Sequence, residues 1–245
     1  MSATAASSCS ILACQVTVPV TRNQQQRREH VRRLVKNIER QLDVHAKKSS
    51  GSSDNECEGD RIDVVVLPEL CTAEYSRESF DQLAEVGETL TGDTVSCFRT
   101  LAMTRNISVL FGMPRMEYCD EPQTTATATS KHAANDQKKT FYISQVLVQP
   151  DGNVRCYDKV HMCQYGAGME KDYFQRGNHL LSFTTAKGFR FGVIICYDIR
   201  IPEQCRELTL RHQVCFRLSR LSLMDFCCCC CCCCCSVDCF VNPSA

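Results

Sequence analysis

The sequence has no surplus of charge of either sign: 28 Lys and Arg stand against 28 Asp and Glu among 245 residues. A protein built to hold a polyanion carries a basic excess, so no nucleic-acid partner is expected. It also lacks any run approaching the roughly 18–20 apolar residues of a membrane span, and no membrane partner is expected. Residues 1–20 have no basic stretch, and their apolar part alternates with polar residues, which reads as a strand rather than an export signal. There is no internal repeat. Of the 21 cysteines, nine form one run, Cys227 to Cys235, and the other twelve are scattered without a CxxC pair. Lone thiols at irregular spacing suit a reducing compartment and argue against a disulfide framework, so a cytoplasmic location is expected.

What is present suffices for one large domain. Apolar residues make up 44% of the chain, enough for a sizeable core. Residues 10–20 read as a strand. Thr21 is the expected cap of the next helix, where Val31, Leu34, Val35, Ile38 and Leu42 form an apolar stripe. Residues 49–60 are a loop by composition. The run IDVVVL at 62–67 is short and continuously apolar, as in a strand covered on both faces, and it stops at Pro68-Glu69. Residues 78–86 and 94–105 read as helices and 107–113 as another buried strand. Residues 117–139 are polar and aperiodic, an exposed insertion that either reaches over a site or trails in solvent. Two hairpins follow, 141–149 with 154–157 around Pro-Asp-Gly-Asn, and 180–185 with 189–195 around Lys187-Gly188. Pro202 opens a helix over 203–212. Alternating strands and helices, then hairpins, predict an α/β domain: a mixed sheet with helices packed on it.

One stretch carries chemistry. In FGVIICYDIRIPEQCREL, residues 191–208, Cys196 ends an apolar β-branched run just before a charged helix start. Taken alone, such a cysteine reads as a buried structural thiol. As a nucleophile it needs a base, because an ordinary thiol is only a few per cent thiolate at neutral pH, and it needs donors for the oxyanion that its attack creates. Two other strand ends supply those parts. Glu69 ends IDVVVLPE, and Lys159 follows VRCYD. Singly, Glu69 reads as a surface carboxylate and Lys159 as a solvated charge or a partner of Asp158. His161, two residues from Lys159, offers a Cys–His alternative. With no Asn or Asp evident as its orienter, it reads as a packed, hydrogen-bonded histidine. Arg200 and Glu203 are expected to be structural, and Cys163 and Cys205 core or chance thiols.

LPEL at 67–70, DKVHM at 158–162 and ICYDIRIPE at 195–203 occur in this order and in matching contexts. Together they resemble the three signature segments of the nitrilase, or carbon–nitrogen hydrolase, superfamily, over residues 10–212. The resemblance implies a Glu–Lys–Cys triad at Glu69, Lys159 and Cys196, and a second carboxylate, placed at Glu170, although Glu-Lys-Asp there reads equally well as a solvated loop. It implies a cofactor-free hydrolase, with no metal, that cleaves a small linear amide or N-carbamoyl compound through a thioester. The backbone N–H of Tyr197 and Lys159 would hold the oxyanion; a nitrile is a less expected substrate. It also implies a four-layer α-β-β-α sandwich that assembles into homo-oligomers.

After His212 the resemblance stops. Residues 213–245 have little period and contain the cysteine run, so the sandwich is expected to be incomplete at the C-terminus, with an open strand edge, and residues 10–212 to form a partial hydrolase domain. Three readings of the tail stand: a frame-disrupted segment, a cysteine string that is S-palmitoylated and tethers the chain to a membrane, or a thiolate metal-binding tail. A catalytically inactive truncated homologue is the alternative to an active hydrolase.

Overall fold

The computed structural model describes residues 8–49, 61–118, 138–164, 169–214, 216–219 and 235–241. β1 (Cys9–Gln15) leads into the long helix α1 (Gln24–Ser49), and β2 (Ile62–Val66) follows. The short helices α2 (Arg77–Phe80) and α3 (Leu83–Val86) precede α4 (Asp93–Arg105). β3 (Ser108–Tyr118), β4 (Lys139–Val148) and β5 (Val154–Asp158) come next, then one turn of helix, α5 (Glu170–Tyr173). β6 (Leu181–Thr184), β7 (Arg190–Ile194), a 3-10 helix (Cys196–Arg200) and α6 (Pro202–Leu210) complete the part that carries the motifs. β8 (Phe216–Ser219) and β9 (Cys235–Val241) lie beyond it.

The strands form two sheets, one of order β5-β4-β3-β2-β1-β9 and one of order β6-β7-β8. Side-chain alternation divides the apolar residues between two faces of the larger sheet. On β2 and β3, Val64, Val66 and Leu110 face the smaller sheet, where they meet Phe183, Phe191 and Val193. Val65, Leu67, Val109, Phe111 and Met113 face α1 and α4. This is why IDVVVL is apolar on both faces. The predicted stripe of α1 is the side that packs: Val31, Leu34, Ile38 and Leu42 are buried and Val35 partly so. Each such buried side chain contributes about 1.5–3 kcal/mol. On the far side, Leu208 of α6 packs against Ile194 of β7. The layers are therefore helix, sheet, sheet, helix, the α-β-β-α arrangement.

Several local expectations change. Asn23, not Thr21, caps α1: its Oδ1 accepts the Gln26 N–H at 3.0 Å, while Thr21 is buried upstream of the first turn. Residues 78–86 make two short helices rather than one, broken at Asp81-Gln82. The ends of the 117–139 insertion belong to strands, since Glu117 pairs with Thr140 and Tyr118 with Lys139. Residues 119–137 lie outside the described residues, as does most of the 49–60 loop. Both hairpins form, with Gly188 at φ +83° in the second. Of the tail, Phe216–Ser219 pairs parallel to β7 and Cys235–Val241 parallel to β1; Cys227 to Cys234 lie outside the described residues. Among the described residues no helix is long and apolar enough to cross a membrane, and no group of three or more His, Cys, Asp or Glu side chains could hold a metal ion.

Candidate active site

Strand direction brings the first two candidate residues together. β2 runs parallel to β3, β4 antiparallel to β3, and β5 antiparallel to β4. The C-terminal ends of β2 and β5 thus share one edge of the sheet, and Glu69 and Lys159 follow those ends. Glu69 is held by backbone geometry. Gly112 N–H donates to Pro68 O at 3.1 Å, and Gln145 Nε2 to Leu67 O at 3.2 Å. A Cβ on Gly112 would lie 2.4 Å from Pro68 O and 2.5 Å from Leu70 N, so only glycine lets β3 pass beneath this turn. The next residue, Leu70, has φ +50°, in the left-handed region that disfavours a branched side chain.

Lys159 continues β5: its N–H donates to Ile143 O and its carbonyl accepts from Gly177 N–H, both at 2.8 Å. Its side chain is fully buried. Nζ donates to Glu69 Oε1 and to Glu170 Oε1, each at 2.7 Å. Burial pulls the ammonium's pKa down, but the two carboxylates together outweigh it and leave the value above that of an ordinary lysine. Asp158, the neighbour, is not its partner: that carboxylate points to the other side and takes Arg115 through two bonds, at 2.9 and 2.8 Å.

Cys196 follows β7 in the smaller sheet and faces this pair across the layer. Its φ of +46° makes a sharp turn between strand and 3-10 helix, which presents the sulfur at the tip. The thiol is half-buried and lies beside the Glu69 carboxylate, which acts on it electrostatically. Burial, and then the negative charge of Glu69, push it up to about 11, so at neutral pH the sulfur carries its proton. Burial raises Glu69 in turn, against the opposing pull of Lys159.

Glu170 is in a turn of helix and is fully buried, so the solvated-loop reading does not hold. Three donors fix it: Lys159 Nζ and the Tyr75 hydroxyl (2.6 Å) on Oε1, and the Cys163 N–H (2.7 Å) on Oε2. Tyr197 follows Cys196 in the 3-10 helix, and its ring lies under Arg200, 5.9 Å from the guanidinium. His161 does have an aspartate. Its Nδ1 lies 3.0 Å from Asp198 Oδ1 and 2.9 Å from Gln204 Oε1. Its bonded partners are thus on the 3-10 helix and α6, not at the thiol.

Sequence reasoning missed Tyr75, Gly112 and Asp198. Only Asp198 left a sequence signal: it lies two residues after Cys196 inside the ICYDIRIPE segment.

The carbon-nitrogen hydrolase family matches residues 13–216. An (R)-stereoselective amidase of a Pseudomonas species is 31% identical over 154 residues, which are 62% of this chain and 45% of that enzyme. A probable nitrilase of Schizosaccharomyces pombe is 27% identical over 146 residues, 58% of this chain and 44% of that protein. The match thus spans less than half the length of either relative. Among solved structures, a carbon-nitrogen hydrolase from Helicobacter pylori superposes with a TM-score of 0.55 at 18% identity, over 82% of this chain and 56% of that one. An amidase from a Nesterenkonia species does so with 0.52 at 18%, over 85% and 63%. At these identities the superpositions speak to the fold. With the family matched over most of its length and the α-β-β-α layers in place, the chain belongs to the carbon–nitrogen hydrolase family.

Proposed function

We propose that the chain hydrolyses the C–N bond of a small linear amide or N-carbamoyl compound through a thioester on Cys196. One observation carries the reading. Glu69 bonds the Lys159 ammonium at 2.7 Å and lies beside the Cys196 thiol, so three strand ends that are 90 and 37 residues apart in sequence converge. A thiol held near 11 cannot act as a resting thiolate, so attack requires a base in contact with it, and Glu69 is the carboxylate in contact.

The steps balance as follows. The sulfur attacks the carbonyl carbon as its proton passes to Glu69. The negative charge that develops on the carbonyl oxygen is met by Lys159 Nζ and the Tyr197 backbone N–H. The tetrahedral intermediate collapses, the C–N bond breaks, and the leaving ammonia or amine takes the proton from Glu69. Glu69, again a carboxylate, draws a proton from water, which attacks the thioester and frees the acid and the thiol. Glu170, saturated by its three donors, holds Lys159 and shapes the site rather than exchanging protons. The relatives named as an amidase and a probable nitrilase support amides first and nitriles second.

The test uses the purified chain. Ammonia release is followed from linear amides, N-carbamoyl amino acids and nitriles, with intact-mass detection of an acyl adduct. Cys196→Ala should lower turnover by at least about 10³-fold and remove the adduct. Unchanged turnover in that variant defeats the mechanism. Turnover of nitriles alone replaces the substrate class and keeps the nucleophile.

A further inference from the structure

We propose that Asp198 is a positioning residue that fastens the Cys196 turn to the Lys159 strand end, and so sets the distance between nucleophile and ammonium. The inference rests on the reading of Cys196 as the nucleophile. Asp198 is fully buried, and both of its oxygens are committed. Oδ2 accepts the Ile195 N–H at 3.0 Å, immediately before the nucleophile, and the Tyr157 hydroxyl at 2.7 Å, two residues before Lys159. Oδ1 accepts the His161 N–H at 2.9 Å, two residues after Lys159, and the His161 Nδ1–H at 3.0 Å. With Asp198 Oδ1 and Gln204 Oε1 both acceptors, Nδ1 is the protonated ring nitrogen. Gln204 Nε2 donates to the Tyr157 hydroxyl and completes the ring of bonds.

These bonds join different sheets. Ile195 ends the run that carries β7 in the smaller sheet; Tyr157 lies on β5 of the larger one and His161 just past its end, on either side of Lys159. One carboxylate therefore grips residues on either side of Lys159 with one oxygen each, and the residue before Cys196 with the second. Its own N–H and carbonyl tighten the grip, the N–H donating to Ile195 O and the carbonyl accepting from Ile201 N–H, both at 3.0 Å. Only an acceptor at both oxygens satisfies four hydrogens. Asparagine keeps the shape but turns one oxygen into a donor, which then faces two donors. Misplacement of a catalytic group by about 1 Å costs on the order of 100-fold in rate.

The experiment compares Cys196→Ala, Asp198→Asn, Tyr157→Phe and His161→Ala. Turnover is expressed per folded molecule and measured well below each variant's melting temperature, so that a lost folded fraction does not count. Asp198→Asn should lower kcat about 100-fold with KM within about threefold. Tyr157→Phe, which removes one of the four bonds and is the milder change should Asp198→Asn fail to fold, should lower kcat about three- to tenfold. His161→Ala keeps the backbone bond to Asp198 and should stay within about threefold. The inference is overturned if Asp198→Asn, or Tyr157→Phe in its place, leaves kcat unchanged in a folded protein that still depends on Cys196. It is also overturned if His161→Ala abolishes turnover, because Asp198 would then orient a catalytic imidazole. If Cys196→Ala changes nothing, the proposed function itself fails, a different result from either.

Discussion

Asp158 and Lys159 are consecutive residues, both buried, and each belongs to a different charge cluster. Asp158 meets Arg115 through two parallel bonds, with the Ser144 hydroxyl as a further donor, the half-exposed Glu117 carboxylate 3.3 Å from the same guanidinium and the Tyr142 ring 4.3 Å from it. Lys159 meets two carboxylates, one of which also lies beside a thiol. Both clusters set two carboxylates on one cation, so the count of charges does not separate them. In the first, one carboxylate is half-exposed and nothing gains from moving a proton. In the second, both carboxylates are buried and a protonated thiol stands beside one of them. Burial of charge alone does not mark a site; a neighbouring group that can give up a proton does.

The two clusters differ most at their positive centres. Lys159→Met should abolish turnover and destabilise the fold by about 3–5 kcal/mol, since it leaves two buried carboxylates without a counter-charge. Arg115→Met should cost a similar ~3–5 kcal/mol yet leave kcat per folded molecule within about threefold. Chemical denaturation and turnover on the same samples separate the two, and equal loss of kcat in both would erase the distinction. Gly112→Ala should follow. The added Cβ pushes the Pro68–Leu70 turn and with it Glu69, which should lower kcat about 10- to 100-fold and stability by about 1–3 kcal/mol.

Glu69→Gln acts on the negative side of the Lys159 cluster. It should remove turnover but stabilise the protein by about 1 kcal/mol at neutral pH, seen as a melting temperature a few degrees higher. Burial raises the carboxyl's pKa in the fold. The protonated form's contribution is thus fully present below the ordinary carboxylate value and is lost as pH rises through the raised one. The gain from Gln should therefore vanish near about pH 4 and grow toward neutrality. By the same shift, the acid limb of the kcat profile should lie above the ordinary carboxylate range, with no alkaline limb below about pH 10. The smallest effect is expected at Tyr75, where Phe removes one of the three bonds on Glu170 and should cost less than about tenfold in kcat.

Much of this was legible in the sequence, for an identifiable reason. Glu69 and Cys196 each follow an apolar run, and an apolar run of five or six residues between turn signals is a strong local sign of a strand; the strand before Lys159, VRCYD, was marked instead by the Pro-Asp-Gly-Asn hairpin turn. The four layers came from the resemblance alone; the double-sided apolarity of residues 62–67 showed only a strand covered on both faces. What could not be read depended on partners far along the chain. Glu170 looks like a solvated loop because Glu-Lys-Asp is polar; it is buried because Tyr75, Cys163 and Lys159 converge on it. His161 had no visible aspartate because Asp198 is 37 residues away and reaches it only across the two sheets. Thr21 and Asn23 are both capping types, and only the entry of the chain into α1 chose between them. Gly112 reads as a weak point in a strand until the Pro68–Leu70 turn is laid over it.

The backbone at Cys196 has a consequence for the history of such chains. At φ +46° a glycine or asparagine relieves strain that cysteine must bear, so selection for a stable fold alone favours losing the sulfur. A lineage released from the reaction should drift at this position first, toward glycine, and gain stability by doing so. Under the proposed mechanism, cysteine would persist on this strained turn only where the thiol is needed, so the residue at 196 would mark retained chemistry without a substrate to read it.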